Sequence, residues 1–469
     1  MSEPSDVTSA AAQAGDGALG APPRPPSLIR GSAARFLADG AGVASSLVAS
    51  IITARALGPD GKGLFSTLTF LSAMVVHLFS AGLGDAAIVF VGQKKATLQR
   101  ALSSTLAAGL CSAVLGTAVL WVACLVAFVD DWADMRTAAI ISCVGVPVFL
   151  CAYQLSYLLS AQERIPASSA VIATMNTFTT IGLALFVAGL GLSIAGGALA
   201  GALGAACGLL LAGTLIRRSG LSLRPGWDTE YVAAALRYGP AIAASNLVSI
   251  MLQRADLLLV YALAGSRPAG HYSVALTIGS LVALLPLAIS NATFPRIAKL
   301  PDAEAAELMV RTCRLGIAAA ALGVVAMVVI TPILVPLFFG REFGPAVGPT
   351  LILVPSGLIW SAQWLLSRCW AARGRPSLLV TSFGASLAVM VALDFFAIPR
   401  FGIIGAATVA LVAPAVGLAI CLRAYRRSPT WPYPTTAFVP RPRDVRAVAG
   451  EALSLLHVKG PSAGADGTS

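Results

Sequence analysis

The stretch "MLQRADLLLVYALAG", residues 251–265, places two charges where hydrocarbon-loving side chains otherwise dominate. Arg254 offers a delocalised cation with several donors, suited to phosphate or carboxylate oxygens. Asp256 offers an acceptor, and Gln253 a hydrogen-bonding amide beside them. An Arg or Asp at the centre of a membrane helix costs roughly 2.5–3.5 kcal/mol. Two residues apart on a helix, the pair points in different directions, and so cannot simply neutralise itself. Each needs a partner on another helix, water or a substrate. At 100° per residue Asn246, Ser249, Gln253 and Asp256 share one arc, a polar stripe along an apolar helix.

Three other segments carry similar stripes. Arg35, Asp39, Ser46, Ser50 and Thr53 share a face; Ser66, Thr69, His77 and Ser80 another; Ser273, Thr277, Ser280 and Asn291 a third. A cavity lined by these four helices explains all of them. The plain alternative is helix–helix glue, because Ser and Thr are common at membrane helix interfaces. His77 could act as a proton-linked switch or as a hydrogen-bonded packing residue. The substrate-facing candidates are therefore Arg254, Asp256, Gln253, Asn246, Ser249, Arg35, Asp39, Ser46, Ser50, His77 and Asn291. Arg55, Arg368, Asp85 and Asp394 lie near helix ends, where snorkelling or solvation accounts for them.

The elements that position these residues follow from composition. Of 469 residues 57% are hydrophobic and 11% charged, with mean hydropathy +0.83. A soluble domain carries about 25% charged residues. The chain therefore reads as an all-α polytopic membrane protein, since long apolar runs make helices rather than barrel strands. Twelve spans are expected, at 34–57, 64–84, 103–129, 138–158, 168–189, 193–215, 240–263, 271–293, 314–337, 347–371, 377–397 and 403–424. Lys and Arg cluster in alternate loops, which places both termini in the cytoplasm. That asymmetry absorbs most of the +11 net charge, so no nucleic-acid partner is implied. Lys62 falls among the few cations assigned to outer loops.

The expected organisation is a disordered tail over 1–30, a six-helix lobe over 31–216, and a linker over 217–239. A second six-helix lobe follows over 240–425, then a tail over 426–469. Within the linker, "TEYVAAALRYG" suggests a short amphipathic helix lying on the membrane surface. A short helix near 444–457 is expected in the last tail. Residues 1–30 contain no apolar core of the kind a cleaved signal peptide needs, so none is expected there. The eight cysteines all sit in or beside apolar spans with no Cys-x-x-Cys, so they read as packing residues rather than disulfides or metal ligands. No cofactor is expected. Pro147, Pro286, Pro332, Pro355 and Pro414 fall inside spans and permit kinks.

The two halves echo one another. "LGPDGKGLFS" at 57–66 aligns with "AGSRPAGHYS" at 264–273, pairing Gly58 with Gly265, Gly63 with Gly270, Phe65 with Tyr272 and Ser66 with Ser273. The same shift pairs Asp39 with Asn246 and Ser46 with Gln253. An even number of helices separates the copies, so the lobes are related by an axis along the membrane normal.

Six segments carry a family resemblance: "ARALGPDGKGLFS" (54–66), "GLGDAAIVFVG" (82–92), "RADLLLVYALAGSRPAGHYSVA" (254–275), "LPLAISNATFPRIAKL" (285–300), "LVPLFFGREFGPAV" (334–347) and "FGIIGAATVA" (401–410). Over roughly residues 30–425 the chain resembles the polysaccharide exporters, the O-antigen-type flippases of the multidrug/oligosaccharidyl-lipid/polysaccharide superfamily. The resemblance implies two six-helix lobes around a central cavity with cationic residues, Arg254 standing at the family's usual position. It implies flipping of an undecaprenyl-pyrophosphate-linked oligosaccharide by alternating access in a bacterial plasma membrane. The partners it implies are that glycolipid, the surrounding membrane lipids and polysaccharide-assembly proteins. A cation-coupled multidrug exporter and a lipid II flippase are the competing expectations, although lipid II flippases usually carry two further helices. An enzyme is disfavoured by the short outer loops. The acidic cluster of Asp130, Asp131 and Asp134 reads as a solvated turn.

Overall fold

In the computed structural model the described residues are 28–80, 82–373, 377–428, 433–442 and 444–446; side chains at 28–41, 241, 245, 292, 295 and 435 are excepted. Twelve α-helices form in chain order: α1 (Leu28–Phe79), α2 (Leu83–Gly92), α3 (Leu98–Ala127), α4 (Trp132–Ala161), α5 (Ile165–Gly182), α6 (Ser193–Arg218), α7 (Thr229–Ala264), α8 (Ser266–Gly279), α9 (Leu284–Ile297), α10 (Asp302–Leu334), α11 (Val347–Ala372) and α12 (Ser377–Arg427). No strand occurs among the described residues.

Among the described residues ten helical units, one of them running through α1 and α2 (Gly42–Gly92) and another through α8 and α9, are long and apolar enough to cross a membrane. Two of them run for 51 residues, about 76 Å if straight at ~1.5 Å per residue, against a hydrocarbon core of about 30 Å. Each folds back on itself at a glycine. Gly58 has φ 67° inside α1, and Gly402 has φ 57° inside α12. Side chains strongly disfavour that backbone region, and glycine enters it freely. The result is twelve crossings, with α8 and α9 forming one of them through a 3₁₀ turn over Ser280–Ala283. Every expected span is met by a helix whose ends differ by a turn or so at most sites.

Two expectations change and a third is only partly met by the described residues. The segment "TEYVAAALRYG" does not form a separate helix, because α7 continues from Thr229 through Pro240 to Ala264. Its apolar face (Tyr231, Val232, Ala235) is buried against Leu83, Ala86 and Leu102 of the N-terminal half. Docking against protein removes the need for a membrane surface. The N-terminal tail expected over 1–30 meets a helix that already begins at Leu28; the rest of it lies outside the described residues. Most of the helix expected near 444–457 also lies outside them.

Crossings one to six pack mainly among themselves, as do seven to twelve. The halves meet through α1 against α8 and α7. On the face opposite the termini they share one core, in which Leu64, Leu68 and Val75 pack with Leu257, Val260 and Tyr272. On the terminal face each half keeps its own core, around Leu155 and Met175 in one and around Cys313, Leu365 and Tyr425 in the other. The halves thus share a core on one face, while on the terminal face only the start of α7 packs against the N-terminal half. All eight cysteines are free, and most are packed in these cores.

The shared core is closed by the internal repeat. A Cβ on Gly63 would stand 1.9 Å from the Ser266 carbonyl oxygen, and one on Gly270 would stand 1.9 Å from that of Pro59. The two glycines are repeat equivalents, and each lets the other's helix approach backbone to backbone. Around them Ser266 Oγ donates to Asp60 Oδ1 (3.2 Å), and Arg267 pairs with Asp60 (3.8 Å). Tyr261 OH donates to Asp131 Oδ2 (2.7 Å), so one member of the acidic turn ties the halves together.

Candidate functional site

Near the glycine contact lie charged side chains from both halves. Lys62 follows the Gly58 bend on α1. The helix restarts at once after the bend and points Lys62 back into the protein, where it is 5% exposed. Its Nζ donates to Thr53 Oγ1 (2.8 Å), and Thr53 in turn donates to the Ala49 carbonyl (2.8 Å). Thr53 supplies one acceptor for an ammonium with three donors. The loop position expected for Lys62 is thus corrected, because a sequence count of loop cations cannot see a side chain folding inward.

Arg254 projects from α7 at the same seam and is half-buried. Lys62 and Arg254 lie within electrostatic reach of one another. Among the described residues the ion pairs are Arg100 with Asp228 and Glu230, Arg267 with Asp60, and Arg373 with Asp302; none involves Lys62 or Arg254. Two cations, one from each half, thus lie near one another with no ion pair to either, and Asp256 is within electrostatic reach of Arg254.

Asp256 points elsewhere, as its two-residue offset from Arg254 requires. It is 2% exposed, accepts from Tyr272 OH (2.6 Å) at Oδ2 and from the Leu257 backbone N–H (2.9 Å) at Oδ1. In this conformation Asp256 is sealed by Tyr272. Asp394 of α12 lies within its electrostatic reach and is fully buried, and neither of its carboxylate oxygens has a hydrogen-bond partner among the described residues. Expected at a solvated helix end, Asp394 instead sits inside the C-terminal half, because α12 runs on for several residues before its bend at Gly402.

The polar stripes divide. Asn246, Gln253, Ser46 and Asn291 are exposed, and Ser249 is half-buried, with its carbonyl accepting from Gln253 Nε2 (3.0 Å). Ser50 is buried and donates to Thr277 Oγ1 (3.4 Å) across the halves. Ser273, Thr277 and Ser280 bond back to their own helix, which is the glue reading. His77 stands edge-on to Tyr153 at 5.4 Å between ring centroids. Arg35 and Asp39 lie outside the described side chains. Arg55 is exposed and donates to the Phe338 (2.7 Å) and Leu337 (2.5 Å) carbonyls at the end of the crossing that contains α10. Those carbonyls are the unpaired acceptors of a helix terminus, so the cation caps them.

No cluster of three or more metal-ligating side chains occurs among the described residues. Ten helical units long and apolar enough to cross a membrane, packed as two halves, make this a multi-pass membrane protein. The fold is that of the multidrug/oligosaccharidyl-lipid/polysaccharide flippase superfamily. An inward-facing multidrug resistance MATE family transporter superposes with TM-score 0.67 at 13% identity, over 84% of this chain and 98% of the other. The lipid II flippase MurJ in an inward closed conformation gives 0.68 at 12%, over 92% and 94%. A mutant of the Vibrio cholerae MATE transporter VcmN gives 0.61 at 14%, over 86% and 97%. No curated protein matches the sequence. Residues 28–301 match the family described as polysaccharide biosynthesis protein, and the chain belongs to that family.

Proposed function

We propose that the protein is a flippase that moves an undecaprenyl-pyrophosphate-linked oligosaccharide from the cytoplasmic to the outer leaflet of a bacterial plasma membrane. The observation that carries this reading is the pair Lys62 and Arg254, two mutually close cations from the two halves with no ion pair to either. A diphosphate is the complementary charge, and the polysaccharide family supplies the glycan. Gln253, Asn246, Ser249 and Ser46 line the approach and can hydrogen-bond sugar hydroxyls. The lipid tail stays in the bilayer while the head group enters from the terminal face, which is the cytoplasmic one on the Lys/Arg asymmetry. Separation of the Gly63–Gly270 contact then releases it outward.

The test is a deletion strain of the native host, with lipid-linked oligosaccharides quantified by mass spectrometry. A cytoplasmic-side glycolipid should accumulate and be cleared by the wild type, but not by Arg254→Ala or Lys62→Met, both inserted at normal levels. An unchanged lipid pool with an intact surface glycan would sink the proposal.

A second reading, a cation-coupled exporter, is favoured by one observation. Asp394 stands buried near Asp256, so two membrane-embedded acids rather than one are available for coupling.

A further inference from the structure

On α4 and α11 the terminal halves of two crossings share a pattern that the charged seam does not use. Thirteen, nine and five residues before the C-cap, α4 carries Phe149, Tyr153 and Tyr157; α11 carries Trp360, Trp364 and Arg368 at the same three places. Spaced four apart, each set forms a ladder about 12 Å long up one helix face. Within 152–159 every residue is buried except Tyr153 and Tyr157. Within 361–370 every residue is buried except Trp364 and Arg368. Each helix thus leaves open one stripe, and the stripe is the ladder.

The rings are ordered. Phe149 stacks on Tyr153 (6.3 Å between centroids, 27°), and Trp360 stacks on Trp364 (5.3 Å, 18°). Tyr157 OH and Tyr153 OH are 3.1 Å apart. Arg368 lies over the Phe294 ring (4.6 Å) and the Trp364 ring (5.5 Å). No ion pair among the described residues involves Arg368, and its buried Nε has no partner. Both ladders turn toward crossings that meet the other half: Tyr153 toward His77 on α1, and Arg368 toward Phe294 on α9.

Aromatic faces carry partial negative charge and attract the polarised C–H face of a pyranose ring. An arginine held flat on rings keeps its edge free for an anion. We propose that the two ladders are a glycan-binding surface. Trp360 and Trp364 stack on sugar rings, Arg368 takes an anionic group next to the sugar, and Phe149, Tyr153 and Tyr157 receive sugar on the opposite half. The ligand class is a glycoside with an adjoining phosphate; a planar organic cation would also stack, but Arg368 repels it. The inference rests on the flippase reading and extends it to the sugar.

The test uses the full chain in lipid nanodiscs, titrated by native mass spectrometry. The probes are a short-chain prenyl diphosphate bearing N-acetylglucosamine, the sugar-free prenyl diphosphate, and a planar organic cation. The wild type should bind the sugar-bearing probe at least tenfold more tightly than the sugar-free one. Trp360→Leu should erase that difference while leaving sugar-free binding unchanged; Trp364→Leu should erase it and, by removing a ring beneath Arg368, also weaken sugar-free binding, whereas Trp364→Phe should keep most of both. Arg368→Gln should weaken both diphosphates at least tenfold. Should Trp364→Leu fail to fold, Trp360→Leu carries the test, since it is Trp364 that stacks on the buried Phe383. Equal wild-type affinity for the two diphosphates, or leucine variants that still discriminate, would overturn the platform and leave the flippase intact. Failure to bind either diphosphate, or preference for the organic cation, would overturn both.

Discussion

Asp394 is the residue whose cost is plainest. A buried polar group without a partner costs about 1–3 kcal/mol, more when charged. Valine fills similar space with no polar atom, so Asp394→Val should raise the melting temperature of the purified protein, followed by tryptophan fluorescence. A lower melting temperature would mean that the carboxyl is held by an interaction the fold depends on. If the acid pair also serves coupling, the stabilised variant should transport more slowly, the usual exchange of stability against activity. Neither Asp394 nor Lys62 could be found by reading the chain. Both sit a few residues from a helix end, where solvation is the natural assumption. Burial here comes from two glycine bends that turn the helix back before the charge reaches water. Arg254 and Asp256 were legible, because nothing in a mid-span position explains a charge except a partner.

At the scale of elements, the linker is the part the sequence described least well. Its helix merges into α7 and is held by charge rather than by lipid. Arg100 reaches from the first turn of α3 to Asp228, the N-cap of α7, at 2.5 and 2.9 Å, and to Glu230 at 2.8 Å. Asp228 also accepts from the Tyr231 backbone N–H (3.0 Å). The Arg100 guanidinium, followed by that N–H, lowers the Asp228 carboxyl from 3.8 to about 2. A depressed acid stabilises the folded form fully above its unfolded value and loses that contribution as pH falls through the folded one. The strap should therefore hold at and above about pH 4 and loosen between 3.8 and about 2. Hydrogen exchange over 229–239 is the measurement: protection should fall across that window in the wild type and be low at every pH in Asp228→Ala. The twelve crossings were legible because about twenty apolar residues are needed to span hydrocarbon. The ladders were not, since an aromatic every fourth residue has no contrast within a helix that is apolar all round.

For the whole molecule, the repeat is both the origin of the two halves and the place where they touch. Sequence alone paired Gly63 with Gly270; the structure puts the two in mutual contact across the shared core. Opening toward the other side must break that contact. Asp60→Cys with Ser266→Cys, in a background lacking the native cysteines, should oxidise to a bridge at the position of the 3.2 Å hydrogen bond. Transport should stop on oxidation and return with a reductant. Continued transport by the bridged protein would show that the halves move without parting here.

The same contact has an electrical consequence. Where water reaches the glycine layer from the terminal face, it carries that face's potential with it, and the transmembrane voltage falls across the protein that remains. A full elementary charge crossing such a drop changes energy by about 2.3 kcal/mol per 100 mV. Lys62, Arg254, Asp256 and Asp394 all reside in or beside that layer, so the membrane potential acts on the charges whose surroundings change when the seal opens.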